Sequence, residues 1–122
     1  MLFRKEGFIK EDTEERMYIY MQKMDGREQY GILAMASVDD YENGLIKRHE
    51  LTIKKKEEDR TKLSDIQNAN LGPVFLTFKD GEDIQKRMME IVKDNEPYAT
   101  VMGHDGIEHV VWLCSPADSD FF

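Results

Sequence analysis

The stretch Asp39–Pro73, DDYENGLIKRHELTIKKKEEDRTKLSDIQNANLGP, decides how this chain is read. Thr52 can act as an N-cap, its hydroxyl accepting from an otherwise unpaired amide, so a helix is expected from Ile53 to about Asn68 or Asn70. Asn70, Gly72 and Pro73 stop it, the glycine suiting a left-handed C-terminal position and the proline forbidding continuation. Ile53, Leu63, Ile66 and Ala69 can meet a core, whereas nothing from Lys54 to Arg60 is apolar. Lys54, Lys55 and Lys56 crowd the positive end of the helix macrodipole, where acidic residues are stabilising. Such local conflicts gather at functional positions, although a solvated helix face with pairs such as Glu58 and Lys62 has the same composition.

On the N-terminal side, Met17–Lys23 (MYIYMQK) is rich in aromatic and β-branched residues and reads as a strand. It ends at Asp25-Gly26, a pair suited to the positive-φ positions of a hairpin. Tyr30–Val38 (YGILAMASV) returns antiparallel and, being nearly continuously apolar, is expected to be buried on both faces. Asp39, Asp40, Asn43 and Gly44 then make a polar turn. On the C-terminal side, Pro73–Phe78 (PVFLTF) is a strand candidate, and Asp80 caps a second helix with a stripe of Ile84, Met88, Ile91 and Val92. Strands follow at Tyr98–Met102 and Ile107–Ser115. The fold class is therefore α+β, a mostly antiparallel sheet of about five strands with two main helices, in a single domain over residues 1–122. The tail PADSDFF, ending on two phenylalanines without a stop signal, is expected where a chain is a fragment of a longer protein.

Length fits one domain with its own core. A net charge of -8 opposes general binding to nucleic-acid backbones, so no nucleic-acid partner is expected. No apolar run marks a signal peptide or membrane span, which points to a soluble cytoplasmic chain with no membrane partner. The lone Cys114 sits in the alternating run IEHVVWLCS and reads as a packed thiol.

At YENGLIKRHELT, then KEEDR, then NANLGPVFLTF, the sequence resembles the bacterial and archaeal family named domain of unknown function 1015. Gly44, Ile46, Arg48, His49, Glu50 and Thr52 carry the resemblance, with Asp59, Arg60, Asn70, Gly72, Pro73, Val74 and Phe75. It extends from about Met17 to about Trp112. The family's members are usually several times longer, with a later Asp-Gly-His-His-Arg portion similar to the partition-protein and free-serine-kinase superfamily. That signature is absent here, and the GHDG turn at Gly103–Gly106 does not replace it. The resemblance implies nucleotide-linked phosphoryl transfer in a full-length parent.

Three site chemistries follow. Unpaired amides at the start of the Thr52 helix, with Arg48, Lys55 and Lys56, could hold a phosphate or carboxylate, Arg48 supplying a planar fork, although no glycine-rich phosphate loop occurs. His49 and Glu50 have residue types suited to proton transfer, with Asp59 orienting, although neighbours in an extended loop point opposite ways and the second can bond Arg60. A metal site is not expected, since HELT lacks a second histidine and His104 and His109 lie in a distant hairpin. The catalytic candidates are thus His49, Glu50 and Asp59, and the ligand-binding candidates Arg48, Thr52, Lys56, Arg60 and Asn70. The expected function is a pocket for a small phosphorylated or carboxylated ligand or nucleotide, with the cofactor unspecified. The alternative is a non-catalytic interaction module docking against the missing C-terminal part, able to self-associate through an exposed surface.

Overall fold

Two consecutive positive-φ residues, Asp25 at 52° and Gly26 at 78°, close the first hairpin, the backbone that a two-residue turn between right-twisted strands requires. They join β1 (Tyr18–Met24) to β2 (Arg27–Leu33), with Met24 paired to Arg27. The computed structural model describes residues 5–7, 10–48, 51–70, 72–79 and 81–122. Two further strands, β3 (Ala99–Met102) and β4 (Glu108–Leu113), complete a four-stranded antiparallel sheet in the order β2-β1-β4-β3. The helices among the described residues include α1 (Val38–Glu42), α2 (Lys54–Gln67), α3 (Glu82–Asp94) and α4 (Pro116–Phe121).

The chain divides into two compact units, Met1–Glu11 with Met35–Phe75, and Asp12–Ala34 with Leu76–Phe122. The second holds the core. Alternation in β1 and β4 puts Ile19 opposite Trp112 and Met21 opposite Val110 on one face. Met88 and Ile91 of α3 cover that face, and Cys114 is fully buried with them. Each buried side chain of this size contributes about 1.5–3 kcal/mol of transfer free energy. Of the stripe read from the sequence, Met88 and Ile91 lie in this core and Val92 packs against it, while Ile84 is half-buried.

The sheet has four strands where about five were expected, because Pro73–Phe78 joins no ladder. Strand propensity needs a hydrogen-bonding neighbour to become a strand, and this run has none among the described residues. β2 is an edge strand with no buried residue, which corrects the expectation of burial on both faces. It also ends at Leu33, so Val38 opens a helix. The expected polar turn at 39–44 is that short helix: the Ser37 hydroxyl accepts from the Asp40 amide at 3.3 Å, and Gly44, at φ 78°, follows the C-cap Asn43. Gly81 holds the N-cap position of α3 without a side-chain bond, and Asp80, the expected cap, lies outside the described residues.

Candidate functional site

The unit containing residues 35–75 carries every residue singled out as a candidate. α1 turns the chain so that the Ile46 amide donates to the Asp40 carbonyl at 3.0 Å, folding the loop back over its own helix. This brings Arg48 over Tyr41, with the guanidinium carbon 4.9 Å from the ring centroid. A cation on an exposed ring at this distance gains about 0.5–1 kcal/mol. The two side chains line an open concavity of about 600 Å³ with Glu42, Gly44, Ile46 and Lys47. Two cations against one carboxylate give it a local positive excess in a chain of net charge -8.

The remaining candidates lie elsewhere along the unit. Thr52 does not cap α2: Ile53 occupies the N-cap position with no side-chain bond, and the Thr52 hydroxyl donates to the Glu57 carboxylate at 3.0 Å. The hydroxyl is thus spent on a side chain one turn inside the helix, and no side chain of the described residues caps the first amides of α2. Lys56, Asp59 and Arg60 follow helical spacing on α2, all exposed, and none is in a hydrogen bond or ion pair among the described residues. Asn70 is exposed beyond the end of α2. None of Thr52, Lys56, Asp59, Arg60 and Asn70 lines the Tyr41–Arg48 concavity. His49 and Glu50 lie outside the described residues. Within the described residues, the structure places Arg48 in a concavity, Lys56, Asp59 and Arg60 along α2, and Thr52 and Asn70 beyond its two ends.

The helix itself explains that spread. No residue of α2 is buried, and Ile66 is 83% exposed. Asn68 takes the left-handed conformation at its end, φ 49° and ψ 45°, with the Ala69 amide donating back to the Ser64 carbonyl at 3.3 Å. This is the stop expected of Gly72, reached four residues earlier by an asparagine.

Two polar groupings in the other unit were not singled out in the sequence. Arg87 Nε donates to Asp118 Oδ1 at 2.9 Å, its Nη2 reaches the same oxygen, and its Nη1 donates to Glu90 at 3.1 Å. Ser115 donates to Asp118 Oδ2 at 2.7 Å and accepts from the Asp118 amide at 3.1 Å. The signal was legible, since Ser-Pro-x-Asp at 115–118 carries the cap residue, the first-turn proline and the returning carboxylate of a helix start. On the sheet face opposite the core, Gln22 donates to the Tyr20 hydroxyl at 3.0 Å, and that hydroxyl lies 2.7 Å from His109 Nδ1. Cross-strand pairing of β1 with β4 produces this contact, which no local motif announces.

Among the described residues, no group of three or more histidine, cysteine, aspartate or glutamate side chains is placed to hold a metal. None of their helices is long and apolar enough to cross a membrane. A family model described as "Protein of unknown function (DUF1015)" matches residues 2–119. No curated protein and no solved structure matches the chain.

Proposed function

We propose, on the premise that this chain belongs to the DUF1015 family of proteins of unknown function, that residues 35–70 serve as a docking surface for a protein partner. One observation carries this reading: no described residue between 35 and 75 is buried, while Val38, Leu45, Leu51, Ile53 and Ile66 are all exposed. A helix of 14 residues is marginal in water without packing against something. Apolar side chains on one short unit with no buried residue among those described from 35 to 75 are the surface that a partner would bury. The lysines at 54–56 then act as a solvated rim that sets orientation, in keeping with their exposure.

The test is site-specific photocrosslinking in cells that make the chain. A crosslinker at Leu51 or Ile66 should trap one discrete protein, and one at Asp25, on the hairpin turn, should not. Equal trapping at all three positions, or none, would remove the docking reading.

A second reading is supported by the Arg48–Tyr41 concavity with its positive excess. It would take a small phosphorylated or carboxylated ligand, Arg48 offering two parallel donors to an oxyanion. Calorimetry with inorganic phosphate, citrate and ATP tests it. Binding should weaken at least about tenfold, or about 1.4 kcal/mol, in Arg48→Gln, and no heat with any of the three would exclude it.

A further inference from the structure

Among the described residues, the outer edge of β2 and the run at 73–77 are both left without strand partners. The hairpin closes at Met24–Arg27, and pairing alternates along β2, so the backbone groups of Glu28, Tyr30 and Ile32 point away from β1. Beside that edge lies a concavity of about 480 Å³ between β2 and α3, with Tyr30, Met88 and Met89 as its apolar wall. A free edge next to a helix is a geometry in which a further strand can be added, backbone bonds giving affinity and alternate side chains filling the groove.

We infer that this edge accepts residues 73–77 of a second copy of the chain as a fifth strand. The run PVFLT supplies what the groove lacks. It is uncharged, rich in strand formers and highly exposed: Val74 is 81%, Phe75 76% and Leu76 51% exposed. Proline at its first position is tolerated on an added edge strand. Val74 and Leu76 fall on one side of such a strand, facing the methionines. Lys79, just beyond the run, complements Glu82 on the groove rim, where Glu28 is already paired with Lys23 at 3.3 Å. Among the described residues the run joins no ladder, and Phe78, just beyond it, is one of the residues lining the groove. The inference goes beyond the docking surface proposed above, because it needs neither α1 nor α2, and either can fail alone.

The test is sedimentation of the full chain across a concentration series. The wild type should dimerise. Leu76→Pro removes the donor strand. Glu28→Pro blocks the edge without costing β1 a hydrogen bond, because that amide faces outward, and Met89→Lys blocks the groove from the helix side. Each variant should be monomeric alone with an unchanged circular dichroism spectrum, and Leu76→Pro mixed with Met89→Lys should restore a dimer, one intact donor meeting one intact groove. A wild type that stays monomeric overturns the inference, as does a dimer indifferent to all three changes. A monomer whose Glu28 and Tyr30 amides lose exchange protection in Leu76→Pro would make the chain's own run the occupant and also overturn it.

Discussion

Arg87 on α3 and Asp118 on α4 share one carboxylate oxygen, Oδ1, approached by both Nε and Nη2 of the guanidinium. The Ser115 hydroxyl holds the other oxygen. This clasp ties the last helix of the chain to the helix covering the sheet. The Ser115 bond first, and the Arg87 guanidinium after it, hold the Asp118 carboxyl below its ordinary value, against the opposing effect of burial.

A carboxyl depressed in the folded state stabilises above its unfolded pKa, and that contribution fades as pH falls through the folded value. Asp118→Asn should therefore lower thermal stability at pH 7, and its deficit should shrink below about pH 4, where the ordinary carboxylate protonates. Melting temperatures of the two proteins between neutral and acid pH check this. A deficit independent of pH would contradict it. Ser115→Ala, which removes the cap, should cost about 1 kcal/mol.

Cys114 is fully buried, and desolvation, ahead of the nearby Asp118 charge, pushes its thiol above the ordinary value. Thiolate is the reactive form, so native Cys114 should label with a disulfide reagent only as fast as the sheet unit opens. Labelling at the rate of a free thiol would place it on the surface.

The Tyr20 hydroxyl accepts from Gln22 and lies 2.7 Å from His109 Nδ1, and we expect it to donate its one proton there. The neutral imidazole should then carry its proton on Nε2, visible in the nitrogen shifts of the ring. Tyr20→Phe should relax that tautomer preference without unfolding the sheet.

The sheet, its hairpin turn and the stripe of α3 were legible in the sequence because period and turn chemistry are local signals. Asp25-Gly26 needs only its own backbone to be read, and Ile84, Met88, Ile91 and Val92 need only helical spacing. The place of β2 was not legible, since apolar content cannot tell an edge strand from a central one and strand order is a long-range property. Nor was the fate of Pro73–Phe78, whose propensity is strong and whose partner is missing. Of the candidate site, the sequence pointed to Arg48, which does line a concavity with Tyr41. It could not show that Thr52 would turn to Glu57, because a hydroxyl with a carboxylate five residues on has two acceptable uses.

The contrast between the units has an energetic form. Ile19→Ala should cost about 2–5 kcal/mol, the range for a buried large-to-small change, because Ile19 is fully buried. Ile66→Ala should change stability by less than about 0.5 kcal/mol. Urea titrations of both variants give the comparison, and similar losses would mean that Ile66 packs in a core of its own.

The most direct measurement is amide hydrogen exchange of the isolated chain, resolved by residue over α2 and over the sheet. We expect Lys54–Gln67 to exchange close to the unstructured rate while β1 and β4 are protected to the level of global unfolding, with α2 gaining protection when a partner covers it. Protection of α2 equal to that of β1 in the isolated chain would contradict a surface that depends on a partner for its burial.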